Sequence, residues 1–138
     1  MVSAREAHAQ AQPGDSVIGW KLDRQQRSEL LTRFPPSYGE PVADHITLRS
    51  RVAGDSALPE ENRGEIIGRS DDGQGVEAMV VRIDGTTDRP DGRTYHITWS
   101  LQAGRHARES NDVIAQCDWQ PIDPPVVVTL HPASFASA

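Results

Sequence analysis

Lysine is almost absent from this chain of 138 residues: Lys21 stands alone against thirteen arginines. The arginine bias reads first as coding composition. The functional alternative is that one or two arginines clamp phosphate with their planar fork. Cysteine is equally scarce, and a lone Cys117 excludes an internal disulfide or a multi-cysteine zinc site. No apolar run approaches the roughly 20 residues of a membrane span, so no membrane partner is expected. An excess of positive charge is missing too. With a net charge of −6 and a pI near 5.3, the chain is not expected to wrap duplex DNA through a broad basic face. A small anionic ligand gripped by a few local cations remains open.

What is present fits one domain. This length builds one real core and not two, and 25% charged with 36% hydrophobic residues suits a polar, soluble globular protein. Residues 1–16 are rich in Ala, Gln, Ser and Gly without apolar periodicity. They are expected to be a disordered lead-in, with 17–138 as a single domain. The same segment lacks the apolar centre of a secretory signal, which points to the cytoplasm. Asp23 followed by Gln26 resembles a capping box, and Leu30, Leu31 and Phe34 line one helical face. A helix is therefore expected over 23–34, ended by Pro35-Pro36. Strands are expected over 41–48, 65–69, 75–84, 94–101 and 126–131, with 75–84 and 94–101 paired as a long-looped hairpin. Residues 53–64 read as a loop, 70–73 as a turn and 119–125 as turn-rich. Ser110 or Asn111 is placed to cap a short helix through Cys117. Together these elements predict an α+β fold with mainly antiparallel sheets.

One short pattern occurs twice. His45-Ile46-Thr47-Leu48 and His96-Ile97-Thr98-Trp99 both have the form His-x-Thr-apolar within a strand-like stretch. Side chains alternate faces along a strand, so each His and its Thr point one way while the apolar residues point to the core. Facing a shared cleft, two such strands offer two imidazoles and two hydroxyls to one substrate. Opening a cyclic phosphodiester needs a water made more nucleophilic and a leaving oxygen given a proton. A neutral imidazole does the first and an imidazolium the second, and histidine reaches both forms near neutral pH. Each positioned proton transfer is worth about 10²–10⁴ in rate. The threonine hydroxyls would donate to the non-bridging oxygens as charge builds there. The scheme needs no metal and no cofactor.

These paired motifs resemble those of the 2H phosphoesterase superfamily, which includes 2′,3′-cyclic nucleotide phosphodiesterases and RNA 2′-5′ ligase-like proteins. Ala43-Asp44-His45-Ile46-Thr47-Leu48, Ile83-Asp84-Gly85-Thr86, Arg89-Pro90-Asp91-Gly92 and Tyr95 to Leu101 are similar to the small branch called Swiss Army Knife RNA repair-like. So are Gly104-Arg105 and Glu109-Ser110-Asn111-Asp112. The likeness spans about residues 20–120. It implies a bilobal 2H phosphoesterase-like fold with the motif strands flanking a central cleft, and catalytic positions at His45, Thr47, His96 and Thr98. It also implies a metal-independent phosphodiesterase acting on 2′,3′-cyclic phosphates at RNA ends or on nucleotides. In related members the second histidine commonly activates water and the first protonates the leaving oxygen, which assigns these roles to His96 and His45. The interval between the motifs is shorter than in the larger ligase-like members, so long RNA-binding insertions are not expected.

Four further residues are candidates for contacting substrate. Arg49 falls on the motif face by parity, Arg105 follows the second motif strand, Asn111 lies beside a helix start, and Tyr95 precedes the second motif. Each has a plainer role as well: solvated arginine, charged loop, cap and core ring. His106 and His131 are expected at the surface, and His8 in the lead-in carries no role. A zinc site from His45, His96 and Cys117 or Asp44 fits no metal-ligand spacing. Trp20, Trp99 and Trp119 are expected in the core or between lobes. The chain is expected to act as a monomer. The rival functions are a binding module for phosphorylated RNA ends or nucleotides, and an RNA 2′-5′ ligase-like transferase. The acidic balance counts against the transferase.

Overall fold

Apolar and polar side chains alternate through most of the chain, and the computed structural model, which describes residues 2–136, resolves that pattern into seven strands and three helices. Strands β1 (Pro13–Leu22), β2 (Glu40–Pro41), β3 (His45–Val52), β4 (Arg63–Asp71), β5 (Val76–Arg82), β6 (His96–Leu101) and β7 (Gln120–Ala136) pair antiparallel throughout. They form one sheet in the order β2-β6-β3-β1-β7-β4-β5, and β5 also pairs with β6. That last pairing closes six strands into a barrel and leaves only the two-residue β2 alongside. The α+β class with mainly antiparallel pairing is as the sequence predicts. The arrangement differs in one respect: both motif strands belong to one continuous sheet, where separate sheets flanking a cleft were expected.

The barrel interior is the core. Ile18, Trp20 and Leu22 from β1, Ile46 and Leu48 from β3, Ile66 from β4, Met79 and Val81 from β5, and Ile97 and Trp99 from β6 join Val126, Val128 and Leu130 from β7 in one buried cluster. Both interior tryptophans satisfy their indole N–H: Trp20 donates to the Glu61 carbonyl at 2.8 Å and Trp99 to the Phe34 carbonyl at 2.9 Å. Helix α2 (Arg24–Arg33) follows β1. Its Asp23 cap accepts from the Gln26 N–H, and its Leu30 enters the same core.

Three expectations are corrected. The predicted lead-in is ordered: α1 (Ala4–Gln10) is capped by Ser3, and β1 already begins at Pro13. Ala4, Ala7 and Ala11 join the core cluster. This alanine stripe carries too little apolar signal to stand out in the sequence, yet it fills the space at the end of the barrel where β1 starts. The predicted strand over 41–48 is broken at Ala43, whose φ of 42° ends β2 and lets β3 start at His45. Residues 119–125 are mostly strand, because β7 extends from Gln120 to Ala136. Its proline-rich stretch 122–125 is accommodated by a register shift between the Ile66–Val126 and Gly68–Pro121 pairs, where no ladder N–H is demanded.

Candidate functional site

Ile46 and Ile97 are directly paired across β3 and β6, and both are fully buried. Alternation therefore turns His45, Thr47, His96 and Thr98 to the outer face of the barrel. The antiparallel sense of this single pair puts Thr47 on the His96 side of it and His45 on the Thr98 side. The two motifs are thus related by a local two-fold axis through the isoleucine pair, with the histidines on a diagonal. Diagonal neighbours lie about 7–8 Å apart at the backbone, a span one phosphate can bridge when each ring nitrogen needs an oxygen about 3 Å away. The rings sense each other, since charge on His45 disfavours charge on His96.

His45 is held by a carboxylate. Its Nδ1 lies 3.0 Å from Asp44 Oδ2. A carboxylate only accepts, so Nδ1 carries the proton and Nε2 is left to face a ligand. Asp44 also accepts from Lys21 Nζ at 2.5 Å and from Arg24 Nη1 at 3.0 Å. Burial pushes the Asp44 carboxyl up, but the bonds from Lys21 and His45 outweigh it and bring it down to about 2. Burial lowers the His45 imidazole, with Asp44 pulling the other way. The His45 ring meets Phe135 edge-on, with centroids 4.7 Å apart.

His96 sits deeper: it is buried, whereas His45 is half-buried. Its Nδ1 donates to the Thr94 carbonyl at 2.8 Å, again leaving Nε2 open. Burial drives its pKa down to about 4, against the Thr94 bond, with the charges of Arg89, His45 and Arg93 adding to the fall. The partner threonine is also enclosed. Thr98 Oγ1 lies 2.9 Å from Ser110 Oγ and donates to the Ala107 carbonyl at 3.2 Å. Ser110, expected as a possible cap, is the first residue of α3 (Ser110–Cys117) and is fully buried. A 3-10 turn, Ala107–Glu109, leads into this helix, whose Ile114 packs on Ala78 and Val80 of β5.

The four predicted substrate contacts lie elsewhere in role. Arg49 donates to the His8 carbonyl and, at 3.4 Å, to the Ala11 carbonyl, so it anchors the end of α1. Arg105 is taken up by Glu109 at 2.6 Å, Asp72 at 2.9 Å and the Gln74 carbonyl at 2.5 Å. Asn111 donates to the Arg108 carbonyl at 3.1 Å. Tyr95 is a core ring, edge-on to Trp20 at 5.8 Å, and its burial raises the phenol to about 12. Each of the four thus has contacts within the protein, while Asn111 Oδ1 is buried with no hydrogen-bond partner among the described residues.

His131 pairs with Asp23 at the surface, at 2.9 Å, as expected of an exposed histidine. Cys117 is exposed at the end of α3. Among the described residues no cluster of three or more His, Cys, Asp or Glu side chains is placed to hold a metal ion. Surface cavities of about 400 and 190 Å³ are lined from α3, β4 and the turns around Asp72 and Trp119. The motif histidines line neither: on the outer face of the sheet His45 is half-buried and His96 is buried.

Sequence reading missed two partners. Alternation would send Asp44 away from His45, but the strand starts only at His45, so the carboxylate folds back. Lys21 is aligned with His45 across β1 and β3. Its signal was there in the sequence: the sole lysine, in a strand whose Trp20 and Leu22 face the core. Among the described residues no helix is long and apolar enough to cross a membrane. Comparison with family models, curated proteins and solved structures finds no match to this chain.

Proposed function

We propose that this chain is a 2H-type phosphodiesterase that opens 2′,3′-cyclic phosphates, or related small cyclic phosphodiesters, by two-histidine acid–base catalysis without a metal. The observation that carries the reading is the register of β3 against β6, which puts both His-x-Thr motifs on one face, with neither Nε2 hydrogen-bonded among the described residues. The local two-fold through Ile46 and Ile97 would be the counterpart, within one sheet, of the two related lobes that the resemblance implies.

On this reading the phosphate spans the diagonal between the rings. The neutral His96 takes a proton from the attacking water at Nε2 as the new P–O bond forms. His45, protonated with its Nδ1–H on Asp44, gives its Nε2 proton to the ester oxygen as the P–O bond of the ring breaks. Thr47 donates to a non-bridging oxygen. The environments suit that assignment: His96 lies where charge is disfavoured, and His45 has a carboxylate to sustain an imidazolium. The bound phosphate anion would add to this effect. Expected substrates are nucleotides or RNA ends that carry a cyclic phosphate.

A second reading, a binding module for phosphorylated RNA ends or nucleotides, is favoured by one observation: burial lowers both imidazoles, so the empty site disfavours the proton donor. Product analysis separates the two. The enzyme forms a monoester from nucleoside 2′,3′-cyclic phosphates in EDTA. Saturable binding without product over a long incubation leaves only the module.

A further inference from the structure

The outer face beside the first motif holds a cation that the scheme above does not use. In the β1–β3 register Lys21 is level with His45 and Gly19 with Thr47. Trp20 and Leu22 point into the core, so Lys21 shares the motif face. Its Nζ lies 2.5 Å from Asp44 Oδ2 and 4.5 Å above the centre of the Phe135 ring, the ring that also meets His45. Carboxylate, imidazole and phenyl ring thus confine the ammonium beside His45. Only one of its three N–H donors is needed for Asp44, and the side chain retains 35% exposure.

Local charge favours an anion there. Gly19 is buried, and β1 passes so close to β3 that a Cβ at Gly19 would come within 2.1 Å of the Ile46 carbonyl oxygen, which fixes the register that sets Lys21 level with His45. Lys21 and Arg24 are two cations on one carboxylate, Asp44, which leaves this edge positive within a chain of net charge −6. A compact ammonium acts as a point charge on a flexible stem and reaches a tetrahedral oxyanion without the planar match a guanidinium requires. That distinguishes the chain's single lysine from its thirteen arginines.

We propose that Lys21 is a substrate-contacting residue whose ammonium binds a non-bridging oxygen of the phosphate held between His45 and His96. The assignment rests on the phosphate-site reading above and extends it to a residue outside the motifs. It makes the site's preference electrostatic, for phosphate esters bearing at least one full negative charge.

Inorganic phosphate, titrated while the His45 and His96 ring signals are followed by NMR, tests this directly. Wild type is expected to show saturable shifts of both rings, weakening as salt rises. Lys21→Met keeps the stem and removes the charge; phosphate should bind about tenfold more weakly, with a flatter salt dependence. Lys21→Arg should stay within about threefold of wild type, since the charge is kept. Arg24→Gln, which removes one charge from this edge and loosens Asp44 but leaves the ammonium in place, should weaken phosphate clearly less than Lys21→Met does, by about threefold or less. If Lys21→Met misfolds, Lys21→Gln and the salt dependence of wild type carry the same test. Equal affinity in wild type and the uncharged variants overturns the proposal, as does an equal loss in Arg24→Gln, which would route the effect through Asp44. If phosphate binding depends on Lys21 but wild type turns over no cyclic phosphate, the anion contact stands and the phosphodiesterase reading falls. If phosphate does not bind wild type, both fall.

Discussion

The two His-Ile-Thr copies share their residues and their sheet, yet they stand in different surroundings. The β3 copy is partly open, and its histidine leans on a carboxylate ringed by cations. The β6 copy lies under α3 and the turn before it, with its histidine on a backbone carbonyl and its threonine on Ser110. Burial disfavours the charged form of both rings, but it is partly answered by a carboxylate charge at His45 and only by a neutral carbonyl at His96. A near-symmetric pair is made unequal by its neighbours rather than by its own chemistry, and on the proposed reading that inequality would set acid against base.

The largest test of that asymmetry is removal of each ring. His45→Ala and His96→Ala should each lower turnover of a nucleoside 2′,3′-cyclic phosphate by about 10²–10⁴. Undiminished turnover in both, measured in EDTA, would end the catalytic reading. Separate loss of one limb of the pH–rate profile in each variant would assign the roles.

Acid stability probes the buried copy. Below about pH 6.5 the unfolded chain protonates His96, which the folded chain refuses until about pH 4. Stability should therefore fall as pH drops through that window, by about 3 kcal/mol in all from this group. Urea melts across pH 4–7 measure it, and His96→Asn should flatten the slope. Asp44 works in a lower window, because its stabilisation is present above its usual 3.8 and lost only as pH falls toward about 2. An unchanged slope in His96→Asn would mean that His96 is not held neutral.

Asp44→Asn sharpens the comparison from the open side. Without the carboxylate the His45 imidazolium loses support and its pKa falls further, so turnover at pH 7 should drop about tenfold and the optimum move to lower pH. NMR titration of the ring gives the same sign independently. Ser110→Ala should be the mildest change, lowering stability by about 1 kcal/mol through loss of one buried hydrogen bond to Thr98. Its effect on turnover should stay small if Thr47 is the hydroxyl that meets phosphate, and large if Thr98 is.

Much of this was readable from local pattern. The helix after Asp23 followed from its cap and from Leu30, and the outward face of each motif followed from alternation about Ile46 and Ile97. Helix α1 was not readable, because Ala4, Ala7 and Ala11 become apolar surface worth burying only at the end of a closed barrel. The partners of the arginines were not readable either, for a related reason. Arg49 and Arg105 looked available along the chain, but distant carbonyls and carboxylates take them up once the chain folds.

Strand parity is a property of the local backbone, so the pairing of each histidine with its own threonine on one face was settled within a few residues of chain. Bringing the motifs side by side required Ile46 of β3 to pair with Ile97 of β6 across the 50 residues between them. The proton affinity of each ring came from still other segments: Asp44 and Lys21 at one, the enclosing α3 side and the Arg89 loop at the other. Period-two geometry is local, whereas desolvation and charge proximity exist only between parts of the chain that folding brings together.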